Sequence, residues 1–154
     1  MAFVPALPLD GIRRCAADEA FLAAVHESYA GLDAEIAAEH PICIGRGACC
    51  RFGQFGHRLF VTPAELAYFR ARVDGPILGP DAGDACPYQQ DSLCTARAGR
   101  PAGCRIFFCD PGSQAWQPPL TEKTLARLKE LHGRFGLPYA YVDWIRALQA
   151  LTGV

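Results

Sequence analysis

Seven cysteines bunched into two short stretches constrain this chain more than any other feature. Cys43, Cys49 and Cys50 fall within eight residues, and Cys86, Cys94, Cys104 and Cys109 form a second run. The opening stretch "MAFVPALPLDGIRR" lacks a charged start followed by an apolar run and a small-residue cleavage site. No apolar stretch approaches the roughly 18 residues that a membrane helix needs. The expected address is therefore the cytoplasm, with no membrane partner. Structural disulfides are disfavoured there, so clustered cysteines point to metal binding or redox chemistry. Cys15 stands alone in an alanine-rich stretch and reads as a small buried hydrophobe.

The charge pattern around the thiols sharpens this expectation. Residues 43–58 hold Arg46, Arg51 and Arg58, residues 94–109 hold Arg97, Arg100 and Arg105, and neither stretch contains an aspartate or glutamate. Thiolate is the form that binds metal, and several thiolates in one place need nearby cations. Arg100 and Arg105 are accordingly expected to donate to thiolate sulfurs or to loop carbonyls. A nucleic-acid surface is the competing reading. The whole chain has 15 basic and 16 acidic residues and a net charge of −1, which weighs against it.

Spacing bears on the occupant. The cysteines follow C-x5-C-C and then C-x7-C-x9-C-x4-C, without the paired C-x2-C of a standard structural zinc site. Neighbouring side chains such as Cys49 and Cys50 tend to point apart, so both reach one ion only through a sharp turn. Seven thiols also exceed the four that one tetrahedral ion takes. A 4Fe-4S iron–sulfur cluster is favoured on these grounds, with zinc as the alternative. His57 lies beside the first run and is a candidate further ligand, although a lone histidine next to a strand is more often structural. His26, His40 and His132 read as surface or core residues.

The rest of the chain predicts helices. Leu22, Val25, Tyr29, Leu32 and Ile36 form a stripe along a helix over 18–40, closed by His40-Pro41. "HRLFV" at 57–61 reads as a short strand. "TPAE" at 62–65 starts a helix, with Thr62 as cap, Pro63 in the first position and Glu65 completing a capping box. Leu66, Phe69 and Val73 are its expected buried side. Residues 74–84 read as a connector, 86–109 as turns and loops, and "DPGSQAWQPP" as a turn-rich linker. Two helices follow over 121–151, parted by "GLP". The first carries Leu125, Leu128, Leu131 and Phe135, and the second Trp144, Ile145, Leu148 and Leu151. The expected fold class is mainly α with irregular cysteine-rich loops and little β. It is a small single-domain metalloprotein of residues 1–154, with a metal-binding part at 43–110 and helical flanks at 18–40 and 121–151.

Two motifs resemble those of the CxxCxxCC zinc- or iron-chelating domain family, the YkgJ-like proteins. The family's first motif, C-x-x-C-G-x-C-C followed by T-x-x-E or T-x-x-D, is met by Cys43, Gly47, Cys49, Cys50 and Thr62 to Glu65. Its second, C-P-[FY], a further cysteine and R-P-x-x-C-R, is met by Cys86-Pro87-Tyr88, Cys94, Arg100-Pro101 and Cys104-Arg105. The resemblance covers about residues 43 to 110. Arg46 stands where the family has its second cysteine, and Cys109 is an extra thiol that can take that place in space. The resemblance implies a metal-binding role through the matching Cys43, Cys49, Cys50, Cys86, Cys94 and Cys104; with the bunched Cys109 they form the candidate metal ligands, and the expected role is redox or metal-handling chemistry on an unknown protein or small-molecule partner. A zinc-stabilised interaction module without catalysis is the alternative. A methylase relationship is weaker, because no glycine-rich loop suits a methyl-donor nucleotide. No acid, base or nucleophile stands out for catalysis.

Overall fold

The computed structural model describes residues 7–41, 59–80, 85–90, 93–107 and 111–152. Six α-helices carry these residues, with two short β pairs and two 3₁₀ turns. The helices are α1 (Leu9–Ala16), α2 (Glu19–Ala38), α3 (Pro63–Arg72), α4 (Ala102–Ile106), α5 (Gln117–Phe135) and α6 (Trp144–Leu151). Strand β1 (Phe60–Val61) pairs antiparallel with β4 (Val142–Asp143), and β2 (Gln89–Gln90) with β3 (Leu93–Cys94). The mainly helical, β-poor architecture expected from the sequence is therefore present.

Helix α3 is the centre of the molecule. Every residue from Pro63 to Phe69 is buried, because α1, α2, α5 and the 3₁₀ turn at Arg97–Gly99 all pack against it. A helix apolar on several sides has to be enclosed in this way. Its start has the expected chemistry: Thr62 caps it, Pro63 opens it, and the Thr62–Glu65 capping box closes in both directions. Val73, expected on the buried side, is instead the half-buried residue that ends the helix.

Helix α2 buries Phe21, Val25, Tyr29, Leu32 and Ile36. The stripe thus begins at Phe21 rather than Leu22, since Phe21 lies four before Val25 on the same face. Asp18 caps the helix by accepting the N–H groups of Ala20 (3.0 Å) and Phe21 (3.2 Å). The helix ends at Ala38, and His40 before Pro41 takes a left-handed φ of 49°. A residue preceding proline is driven out of the right-handed helical region.

Two regions differ from the sequence expectation. Helix α1 lies in a stretch with no readable stripe, since only Ile12 and Cys15 of its eight residues are buried. Cys15 is fully enclosed, and burial pushes its thiol pKa up. That is the small-hydrophobe role expected of it. The linker read in "DPGSQAWQPP" instead holds a 3₁₀ turn at Pro111–Ala115, and α5 begins at Gln117, four residues before Thr121. Its two prolines sit at the first helical positions, where a missing N–H costs nothing. Helix α5 buries Leu128 and Leu131, with Thr124 and His132, whereas Leu125 and Phe135 are half-buried. It stops at Gly136, whose φ of 66° suits glycine. Arg14 of α1 donates to the carbonyls of Phe135 (3.3 Å) and Gly136 (3.4 Å) there, a favourable place for a cation.

His132 is a buried polar tie between α5 and α3. Its Nε2 accepts the Ala64 N–H at 3.1 Å, so the ring proton sits on Nδ1 and is donated to the Leu128 carbonyl at 2.7 Å. Only the neutral ring can do both. Burial lowers its pKa from the ordinary 6.5. On acidification the unfolded chain takes up this proton near pH 6.5, and the folded chain does so only at lower pH. The stability His132 confers is thus complete above 6.5 and lost as pH falls toward the depressed value. The expected slope is at most about 1.4 kcal/mol per pH unit. Urea unfolding between pH 7.5 and 5 should show it, and His132→Gln should flatten it.

Candidate functional site

Of the seven candidate ligands, Cys86, Cys94 and Cys104 lie within the described residues. Cys43, Cys49, Cys50 and Cys109 lie outside them, as does His57. The second cysteine run, expected to be turns and loops, is more regular than that: it contains the β2–β3 pair, the 3₁₀ turn at Arg97–Gly99 and helix α4. No disulfide joins any two of the described cysteines.

Cys86 opens a turn with Pro87 and Tyr88. The Gln89 N–H donates to the Cys86 carbonyl at 3.1 Å, and proline in the second position pre-sets such a turn. Tyr88 is the turn's anchor. Its ring meets Phe69 of α3 edge-on at 5.0 Å, and its hydroxyl accepts the Leu78 N–H at 2.9 Å. Its carbonyl accepts from the Thr95 N–H (2.8 Å) and hydroxyl (2.6 Å). The Cys86 sulfur is buried and accepts the indole N–H of Trp144 at 3.3 Å.

Cys94 pairs across the ladder with Gln89. Burial raises its thiol pKa. The Ala96 N–H, bonded to its sulfur, opposes the rise, the nearby Cys86 adds to it, and Arg100 and Arg97 oppose it. Cys94 thus lies within electrostatic reach of Cys86 and of two guanidiniums. Arg100 in turn stands in the field of both Cys104 and Cys94. Burial, with Arg97 and Arg105 beside it, pulls its pKa down, and the two thiols oppose that pull. Its Nε donates to the Arg97 carbonyl at 3.2 Å. Cys94 and Cys104 thus share the field of Arg100, and Cys86 acts on Cys94.

Arg105 faces elsewhere. It is buried, and its NH1 pairs with Asp33 of α2 at 2.9 Å. Its Nε donates to the Arg100 carbonyl (2.8 Å) and its NH2 to the Ala98 carbonyl (3.2 Å). The guanidinium lies 4.1 Å over the Tyr29 ring. Of the two roles the sequence leaves open for it, the described contacts are those to loop carbonyls. Asp33, its partner, stood out in no sequence pattern because the pairing spans 72 residues.

Glu65 does more than cap. It is 1% exposed. Its Oε2 accepts the Thr62 N–H (2.8 Å) and hydroxyl (3.1 Å), and its Oε1 accepts the Ala102 N–H at 2.7 Å. Burial lifts its pKa above the ordinary carboxylate range; these donors and Arg105 work against that lift. The carboxylate therefore joins the start of α3 to the start of α4, the helix that carries Cys104. In sequence terms it ties "TPAE" to "RPAGCR". Gly103 lets α4 sit close: a Cβ there would lie 2.3 Å from Leu59 Cδ1. Leu59 thereby packs directly against the helix that carries Cys104.

Among the described residues, no group of three or more His, Cys, Asp or Glu side chains is placed to hold a metal ion. The donor chemistry of the described corner nevertheless fits one. It offers soft sulfur ligands, adjacent guanidiniums, and N–H donors to two of the sulfurs. A cation bound there would favour thiolate ligands, against the burial that raises the Cys94 pKa. Comparison of the chain with protein-family models, with curated proteins and with solved structures finds no match in any of the three.

Proposed function

We propose that the chain is a small metalloprotein whose clustered cysteines hold an iron–sulfur cluster, a 4Fe-4S centre foremost, for redox or metal-handling chemistry. Cys86, Cys94 and Cys104 are the ligands on the second segment; Cys43, Cys49, Cys50 and Cys109 complete the candidate set. The observation that carries the reading is the placement of Arg100 in the field of both Cys94 and Cys104, with Cys86 acting on Cys94. A guanidinium shared by two thiols is suited to sulfur ligands that carry negative charge when metal is bound. The motif resemblance to the CxxCxxCC chelating domain supports the same assignment. When bound, such a cluster supplies one-electron chemistry at a potential set by charge and by hydrogen bonds to sulfur. The chain's own part is to present the thiols, offset their charge through Arg97 and Arg100, and donate N–H groups to Cys86 and Cys94.

Anaerobic purification of the full chain, followed by iron, zinc and acid-labile sulfide analysis, tests this. The expected product is brown and contains iron and sulfide in comparable amounts. A colourless protein holding zinc alone would replace the cluster with the structural ion of an interaction module, since zinc has no visible absorption. A protein with no metal after anaerobic purification and reconstitution would overturn the proposal.

A further inference from the structure

Trp144 bonds to Leu59 and to Cys86, the first residue of the second cysteine segment. It is the first residue of α6, and it is 2% exposed. Its backbone N–H donates to the Leu59 carbonyl at 2.8 Å. Its indole N–H donates to the Cys86 sulfur at 3.3 Å. The ring is fixed from behind by Phe69 of α3, edge-on at 4.8 Å. The indole has little freedom to choose another acceptor.

A buried tryptophan usually finds a hydrogen-bond partner for its N–H. A neutral thiol is a weak one. A thiolate is strong, because a hydrogen bond to an ionised partner has about twice the strength of a neutral one. The same donor would bond more strongly to Cys86 as the metal-ligating thiolate. Partners of this kind around a metal's ligands orient them and tune the metal.

Building on the reading of the cysteines as a metal centre, we infer that Trp144 is the positioning residue of that centre. Its indole N–H orients the Cys86 sulfur, and its backbone N–H, bonded to the Leu59 carbonyl, fixes the start of α6. The C-terminal helix, remote in sequence from every clustered cysteine, is thereby part of the site.

Two measurements test this on the full chain. In the reduced, metal-free protein, the indole N–H of Trp144 is followed by nitrogen-15 NMR, with Trp116 as internal control. In Cys86→Ala its resonance should move and its exchange with deuterium should quicken about fivefold to tenfold, the loss of one hydrogen bond. Cys86→Ser keeps an acceptor and should restore most of the protection. An indole signal indifferent to both substitutions would overturn the inference. In the zinc-loaded protein, Trp144→Phe should release zinc to a chromophoric chelator at least about tenfold faster, with helix content retained by circular dichroism. Release at the wild-type rate from a folded, zinc-loaded variant would overturn the inference alone. Should Trp144→Phe fail to fold, the cysteine variants still decide. Absence of any metal from the wild-type chain would instead overturn the underlying reading, and the inference with it.

Discussion

Glu65→Ala should be the most destabilising single substitution at the junction of the two motifs. We expect a loss of about 4 kcal/mol in metal-free protein, from three donors stranded in the interior at roughly 1–3 kcal/mol each, less some relaxation. The stranded groups are the Thr62 N–H, the Thr62 hydroxyl and the Ala102 N–H. For a chain of this length the melting temperature should fall by about 8–16 °C. Glu65→Gln is a discriminating companion. An amide oxygen can replace Oε1 toward Ala102, but the amide nitrogen then faces the Thr62 N–H, donor against donor. It should therefore cost about 1–3 kcal/mol despite its shape. Its pH behaviour is also distinctive. Burial raises the folded pKa of Glu65 above the ordinary 4.5. The wild type therefore gains stability from this group on acidification, and that gain is lost as pH rises through the raised value. Glu65→Gln cannot titrate, so its deficit relative to wild type should be larger near pH 4.5 than at neutral pH. Denaturant melts at both pH values measure this. A Glu65→Ala protein within 1 kcal/mol of wild type would mean that the start of α4 finds other partners.

Arg105→Ala should cost about 3 kcal/mol and lower the melting temperature by roughly 6–12 °C. The side chain bridges α2 and the second cysteine segment through Asp33, two carbonyls and the Tyr29 ring. Loss of the pair with Asp33 is a minor part, because Asp33 is 48% exposed and solvent screens it. The larger part is the two carbonyls left without their donor and the uncovered ring. Arg105→Lys should recover less than half of the loss, since an ammonium cannot reach three acceptors in the planar geometry of a guanidinium. Arg105 thus acts first on the fold and only through it on the thiols. A variant that loses metal but melts at the wild-type temperature would reverse that order. Arg100 is the better test of charge alone.

Much of the helical scaffold was legible in the residues. The stripe from Val25 to Ile36 is a direct consequence of helical period, and the capping box at Thr62–Glu65 is a purely local pattern. Both depend on residues within one or two turns of one another, and such interactions are set by sequence spacing. Helix α1 escaped because two buried residues make no period, and α5 began early because its prolines read as a linker. At the candidate site, the bunching of the cysteines and the company of arginines were visible directly. The division of labour between Arg100 and Arg105 was not, because Asp33 lies 72 residues from its partner.

The sequence by itself determined the core stripe of α2, the capped start of α3 and the bunching of the thiols along the chain. The tertiary structure decided what holds them. Glu65 looks like an ordinary cap until α4 brings the Ala102 N–H to its second oxygen, 37 residues away. Trp144 looks like a core aromatic until the ring's N–H meets Cys86, 58 residues away. A carboxylate has two oxygens and an indole has both a face and a donor. Local sequence accounts for one of each, and the other is claimed only when distant segments pack together.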